Sequence, residues 1–447
     1  MSLLTTRTGC RYYDPWEEAS DEQRAETIGR RLADYVDFAR LNVPLLRDRL
    51  AGYRPDAAHP LADVPVMTAD ELRTMVPPAG SDLLTSRGND YTVFQSGGTT
   101  GVPKTTLFTH GELDGLDLPN ARGFYAVGLR AEDRVANLFA VGGLYMTFVH
   151  INRCLQQYGC LNFPFSNQTP PAFVGSVAEL FKINVFTGIA SVVLGCLRSL
   201  AAEGAAARLS VDKVFYGGEH LYEADVRELQ RDFGVSTVAA PGYGTVDSWY
   251  LGYGCQFSPT GTFHAHDDQV YLEIVADDDP SRPCPPGEAG TLLATAYPRR
   301  LTPIVRFRVG DRARWLTDRC PCGRTTPRFE LLGRGDDVLR IGYDSIDYRF
   351  VQDTVATVEG LSGTVQIEKC RRDGRDQLVV RVESAVEPSR RDELAARLSA
   401  ALSAGRPSLA EFVAKGTVWP VQVEIVDPGS LPRNPRTGKL MRVIDAI

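Results

Sequence analysis

No stretch of this 447-residue chain reads as a leader or a membrane span. Met1 to Arg11 lacks a basic-then-apolar segment, and no apolar run approaches the roughly 20 residues a spanning helix requires. The expectation is a soluble, cytoplasmic protein. Long runs of Lys or Arg are also missing: charged residues make up 23% and the net charge is −7. That balance argues against nucleic acid and anionic membrane as partners, and against a zinc-ribbon nucleic-acid binder, although backbone donors can still build a local phosphate site. An even, clustered cysteine set is absent. The nine cysteines, at positions 10, 154, 160, 196, 255, 284, 320, 322 and 370, are odd in number and scattered. This argues against a disulfide framework and reads as mostly reduced, buried, small apolar side chains. Neither a fixed-period repeat nor a low-complexity tract occurs, which excludes a solenoid.

What is present is ordinary globular composition, 43% hydrophobic, over a length that suggests two or three domains. Trp16 to Leu50 reads as helical: Leu32, Tyr35, Val36 and Phe38-Ala39 recur at spacings of three and four, and Ser20 before Asp21 and Glu22 makes a helix start. The middle alternates short β-rich runs with helical stretches. Val93-Phe94, Val135 to Phe139, Val185-Phe186, Val214 to Tyr216 and Val235 to Ala239 are expected strands; Ser176 to Leu180 and Glu223 to Phe233 are expected helices. That alternation predicts a parallel α/β body. From Gln269 the pattern turns to an antiparallel β region, with Val270 to Val275 and Gly290 to Ala296. Beyond Asp336 it predicts a helix (Tyr348 to Val358), strands (Thr364 to Glu368 and Gln377 to Val382), a helix (Pro388 to Ala404) and a strand (Val421 to Val426). The fold class expected is α/β: a large body over 1–336 with a β-rich subdomain, and a small α+β domain over 337–447.

The most informative stretch is Phe94-Gln95-Ser96-Gly97-Gly98-Thr99-Thr100-Gly101-Val102-Pro103-Lys104. Its glycines let the backbone approach a ligand and turn N–H groups toward it. Ser96, Thr99 and Thr100 add hydroxyl donors, and Lys104 adds a charge. The loop suits a triphosphate, although no Gly-Lys-Ser/Thr closes it as in a Walker A loop. A surface turn is the other reading of such a stretch.

Four more segments follow in order: Gly242-Tyr243-Gly244-Thr245-Val246-Asp247, Arg306-Phe307-Arg308-Val309-Gly310-Asp311, Gly333-Arg334-Gly335-Asp336-Asp337, and Leu431 to Arg442 with Gly438-Lys439. With the first loop they resemble the adenylate-forming superfamily of acyl-CoA synthetases, adenylation domains and luciferases, and within it the phenylacetate–CoA ligase branch. The resemblance runs from about Tyr91 to Arg442. It implies an AMP-forming acid–thiol ligase that uses ATP and Mg²⁺ to make an acyl-adenylate, of an aromatic acid by preference, and passes the acyl group to coenzyme A. Relatives use instead a carrier-protein thiol, an amine, or an oxyacid such as nitrite; a catalytically silent nucleotide-binding member is a further alternative. Dimers are the general prior for assembly.

The resemblance also implies roles. Ser96 to Gly101 and Lys104 would hold the phosphates. The Tyr243 ring would lie against adenine beside Gly244, Thr245 would meet the phosphate, and Asp247 would help hold Mg²⁺. Asp311 would accept from the ribose hydroxyls. Gly218 and Glu219, in Val214-Phe215-Tyr216-Gly217-Gly218-Glu219, would pack along the adenosine. Arg334 would contact the nucleotide, Asp336 would be the hinge, and Lys439 would stabilise charge at the reacting carboxylate and α-phosphate. Phe139, Tyr145, Ala190 and Ser191 fall where the family places its acid pocket; aromatic residues there equally suit a plain core. Gly97 and Asp247 depart from the family's usual Ser and Glu.

Cys320-Pro321-Cys322-Gly323 is by itself a tight thiol pair on a turn. The same branch carries a Cys…Gly-x-His…Glu pattern, matched here by Cys255, Gly261, His264 and Glu273, with one extra residue between Gly and His. The implied set is structural Zn²⁺ on Cys255, His264, Cys320 and Cys322.

Overall fold

The computed structural model describes residues 10–96, 104–219, 221, 223–335, 338–341, 344–361, 363–373, 375–434 and 438–445. They form two compact units. The larger takes the chain up to Leu221 and again over Leu229–Leu332; the smaller takes 222–228 and the chain from Gly333.

In the larger unit the N-terminal helical pattern is broken into pieces. A 3-10 turn, Pro15–Glu18, precedes the helix Asp21–Asn42 and a second helix, Pro44–Arg49. Ser20 caps the long helix through a capping box with Gln23. The single helix expected to reach Leu50 stops at Val43, because a residue before proline is driven out of the α region, here to φ −127° and ψ 103°. Leu32, Tyr35, Val36 and Ala39 are buried on the predicted face.

A five-stranded parallel sheet has the order Leu161–Pro164, Arg134–Leu138, Val185–Ile189, Lys213–Gly217, Thr237–Ala239. Helices Thr147–Tyr158, Pro171–Phe181 and Ala190–Ala202 alternate with its strands. The strand order reverses between Arg134–Leu138 and Val185–Ile189. The crevice at the carboxyl ends of two such strands is where sheets of this kind hold ligands.

Beside it stands a seven-stranded sheet in the order Val270–Val275, Gly290–Ala296, Ile304–Trp315, Arg328–Arg334, Thr262–Ala265, Trp249–Tyr253, Tyr243–Thr245. Its pairs include the predicted antiparallel partners Val270–Val275 and Gly290–Ala296. One predicted strand belongs elsewhere. Val93-Phe94 is not part of the parallel sheet: Tyr91–Gln95 pairs antiparallel with Thr105–Thr109 in a separate hairpin. Phe94 is buried and Val93 is 40% exposed, the alternation of a strand covered on one face only.

The smaller unit has a four-stranded sheet, Gln422–Val426, Arg375–Glu383, Val365–Arg372, Val443–Asp445. The central pair is antiparallel and the outer strands join parallel. Leu394, Leu398 and Leu402, one turn apart on the helix Pro388–Gly405, share a core with Val365, Ile367, Val380 and Val382. The two units part at Leu332 and Gly333; the expected boundary, Asp336, lies outside the described residues.

Candidate active site

The loop after Tyr91–Gln95 is closed at its stem by two hydrogen bonds. The Ser96 N–H donates to the Lys104 carbonyl at 2.9 Å, and the Lys104 N–H donates to Ser96 Oγ at 2.9 Å. Gly97, Gly98, Thr99, Thr100 and Gly101 lie outside the described residues. The Lys104 ammonium ion-pairs with Asp247 Oδ2 and stands 5.0 Å from the centre of the Phe307 ring. Asp247 Oδ1 accepts from Thr106 Oγ1 at 2.6 Å. Of the carboxylate implied as a Mg²⁺ ligand, Oδ1 is thus held by a hydrogen bond, while Oδ2 is buried and has the ion pair but no hydrogen bond among the described residues.

Tyr243 and Thr245 lie on the last strand of the seven-stranded sheet, and Asp311 lies on Ile304–Trp315. Tyr243 Oη donates to Asp311 Oδ2 at 2.5 Å. The tyrosine ring is fixed by Phe263 and Phe329, with centroids at 5.5 and 6.0 Å. Thr245 Oγ1 lies 2.7 Å from Ser248 Oγ and accepts the Ser248 N–H at 3.1 Å. Gly244 is required by close approach, since a Cβ there would lie 2.4 Å from the Trp249 carbonyl oxygen.

The remaining residues of this unit's candidate set gather at the parallel sheet's carboxyl edge. Phe139 directly follows Arg134–Leu138, Ala190 and Ser191 open the helix after Val185–Ile189, and Gly218 (φ +77°) and Glu219 follow Lys213–Gly217. Glu219 Oε2 accepts the Ser191 N–H at 3.1 Å, satisfying a donor of the helix's first turn. Phe139 and Ala190 are buried; Tyr145 and Ser191 are half-buried. A pair that the sequence reading missed is His150 and Tyr250, whose Nε2 and Oη share a hydrogen bond. Burial holds the His150 imidazole down at about 4 and pushes the Tyr250 hydroxyl up. A lone His on a helix and a lone Tyr on a strand, 100 residues apart, carry no spacing signal.

In the smaller unit, the described residues around Lys439 are joined by backbone contacts. Arg433 and Leu440 form an antiparallel bridge, the Asn434 N–H donates to the Lys439 carbonyl at 2.7 Å, and the Gly438 N–H donates to the Asn434 carbonyl at 2.8 Å. Arg334 ends the strand Arg328–Arg334.

Apart from these, Cys255, His264, Cys320 and Cys322 are all buried, with their donor atoms within 4.8 Å of one another. The sheet order brings them together. His264 lies on Thr262–Ala265, between Trp249–Tyr253, which leads into Cys255, and Arg328–Arg334, which the Cys320–Cys322 turn precedes. Cys255 and Cys320 sulfurs are 3.6 Å apart, and Cys322 Sγ is 3.4 Å from His264 Nε2. The Cys322 thiol is drawn well below its ordinary range, first by a hydrogen bond from Cys255 and then by His264. Thiolate is the form that ligates metal. Three thiols and one imidazole at this spacing fit tetrahedral Zn²⁺.

Residues 61–296 match the family model described as AMP-binding enzyme. Phenylacetate-coenzyme A ligase of Escherichia coli (strain K12) is 26% identical over 445 residues, with 97% of each chain covered. The Thermus thermophilus protein of that name is 25% identical over 448 residues, covering 97% of this chain and 99% of its own. Among solved structures, 2-hydroxyisobutyryl-CoA ligase in complex with 2-HIB-AMP in the postadenylation state superposes with a TM-score of 0.79 at 24% identity, covering 98% of this chain and 93% of that one. The same ligase with 2-HIB-AMP and CoA in the thioesterification state gives 0.66 at 26% identity, covering 97% and 92%.

Proposed function

This chain belongs to the AMP-binding enzyme family, and from that premise we propose that it activates a carboxylic acid with ATP as an acyl-adenylate and transfers the acyl group to coenzyme A. The observation that carries the reading is the hydrogen bond from Tyr243 to Asp311, which joins two motifs 68 residues apart into one unit. An aromatic ring and a carboxylate so coupled are equipped to take a purine face and a ribose edge together.

The assignment of roles follows. The Ser96–Lys104 loop receives the ATP phosphates. The acid lies at the parallel sheet's switch point, among Phe139, Tyr145, Ala190 and Ser191, with Gly218 and Glu219 beside the adenosine. The substrate carboxylate attacks the α-phosphorus, a P–O bond forms, and pyrophosphate leaves with the electrons of the bond it loses. Lys439 offsets the charge that builds there, and Thr245 meets the phosphate. Arg334 contacts the nucleotide. We assign residues 337–447 as a lid domain that swings about Asp336 between the half-reactions, since one residue can absorb such a change in φ and ψ. The coenzyme A thiol then attacks the acyl carbon and AMP departs. An arylacetic acid is the substrate class we favour, supported by the aromatic side chains of the pocket set and by the activity named for the relatives. Cys255, His264, Cys320 and Cys322 would hold zinc, which would supply a structural cross-link.

The test is pyrophosphate release with ATP and Mg²⁺ across aryl, arylacetic, aliphatic and amino acids, each with and without coenzyme A. Release that depends on arylacetic acids, with a matching acyl-CoA mass, is the expected result. Release without any acyl-CoA product would overturn the acceptor, and silence across the panel would overturn adenylation.

A further inference from the structure

We propose that Asp247 serves as the buried counter-ion that positions Lys104 for the nucleotide phosphates, and not as a direct ligand of Mg²⁺. The proposal rests on the reading of the Ser96–Lys104 loop as the ATP site.

A magnesium ion binds with near-octahedral geometry, keeps several of its waters, and needs a carboxylate oxygen that a hydrated ion can reach. The Asp247 side chain is 2% exposed. Oδ2 is ion-paired with the Lys104 ammonium without a hydrogen bond among the described residues, and Oδ1 accepts from Thr106 Oγ1 at 2.6 Å. On its other side the ammonium faces the Phe307 ring, an apolar wall that offers no oxygen ligand.

The arrangement follows from strand geometry. Lys104 directly precedes the strand Thr105–Thr109, so Lys104 and Thr106 are two residues apart and point the same way. Both reach the one carboxylate, and its short arm suits that single point. A second buried cation stands within electrostatic reach of Asp247: Arg299, fully buried, with Nη1 3.4 Å from Glu112 Oε1. A divalent ion on Asp247 would add its charge beside two existing cations. The ammonium, in contrast, has three N–H donors. Asp247 attracts the ammonium by charge and so limits the rotamers of a long, flexible side chain, which keeps its N–H donors in place for phosphate oxygens.

The experiment measures ATP affinity by calorimetry, once in EDTA and once with Mg²⁺, for the full-length wild type, Asp247→Asn, Lys104→Met, the double variant, and Thr106→Val. A positioning role predicts that Asp247→Asn weakens ATP binding about tenfold or more in both conditions, as expected for a charge-assisted contact. The ratio of the two affinities stays at its wild-type value, and the double variant is no worse than Lys104→Met. Thr106→Val, which keeps the volume and removes only one grip on the carboxylate, shifts both affinities in the same sense and reports even if Asp247→Asn does not fold. An Asp247→Asn protein, or a Thr106→Val protein, that binds ATP normally in EDTA but loses the gain from Mg²⁺ would overturn the proposal and make Asp247 a ligand. Wild type that binds no ATP in either condition would overturn the underlying ATP-site reading, and the proposal with it.

Discussion

His264 Nδ1 lies 3.0 Å from Thr326 Oγ1, a contact that turns the other ring nitrogen, Nε2, toward Cys322. Fixing one nitrogen of a ligating histidine through its outer partner is how metal sites set ring orientation. The same turn also grips the N-terminal segment. Tyr12 Oη and the Arg11 guanidinium donate to the Cys322 carbonyl, Arg324 pairs with Glu17, and the Thr325 N–H donates to the Glu17 carbonyl. Purified protein is therefore expected to carry one zinc per chain, and Cys320→Ser with Cys322→Ser to carry none, as read by elemental analysis. Removing the metal should lower the thermal midpoint and open the chain near Cys10–Glu18 to proteolysis. Unchanged zinc content in the double variant would remove the site.

The Tyr243–Asp311 bond makes a prediction about binding that differs for its two members. Asp311→Asn removes the charge proposed to accept from the ribose, and should raise the KM for ATP on the order of tenfold or more. Tyr243→Phe keeps the ring and loses the hydroxyl that donates to Asp311, so a rise of only a few-fold is expected. Steady-state pyrophosphate release separates the two; equal effects would mean that Asp311 acts through the tyrosine alone.

How much of this was legible in the sequence depends on how far each contact reaches. Val270 to Val275 and Gly290 to Ala296 could be read residue for residue, because β-branched runs bounded by turn residues are a local signal. Cys320 and Cys322 were visible as a pair, whereas Cys255 and His264 were named only through the family resemblance; in space it is sheet order that brings them together. Arg122 was invisible. No motif or periodicity singles it out, yet it is fully buried, paired with Asp14 and Asp268. The helix that carries it, Asp117–Ala126, is buried from Pro119 to Ala126, so no amphipathic stripe marks it. The Lys104–Asp247 pair links two recognisable motifs, but nothing in either motif says that they bind each other before they bind a ligand.

His150 gives the protein a pH dependence of definite sign. Its imidazole, ordinarily near 6.5, is held down at about 4 by burial. It stays neutral in the folded chain, while the unfolded chain takes up the proton below its ordinary value. Between the two values the unfolded state binds more protons, so stability falls as pH drops from 6.5 toward 4. His266, also buried and also held low, adds in the same direction. At pH 5 the His150 contribution amounts to about 2 kcal/mol at most. The expected outcome is a lower thermal midpoint at pH 5 than at pH 7, with a shallower fall in His150→Gln. An equal slope in both proteins would show that the histidine does not titrate as its burial requires.

Lys439 offers the sharpest division between the two proposed half-reactions. Around it, backbone groups make the Asn434 and Gly438 hydrogen bonds and the Arg433–Leu440 bridge, so shortening the side chain leaves these in place. The ammonium is proposed to act on charge that appears only as the carboxylate attacks phosphorus, and an interaction of that kind is lost from kcat more than from binding. Lys439→Ala should therefore lower acid-dependent pyrophosphate release by on the order of 10²-fold or more, with ATP affinity near wild type. Supplied with a presynthesised acyl-adenylate, the same variant should still form the thioester, since the nucleotide carboxyl–phosphate bond already exists and the lysine's task is done. A variant equally slow with acid plus ATP and with the adenylate would mean that Lys439 supports the fold of the smaller unit; normal pyrophosphate release would place the transition-state charge on another residue.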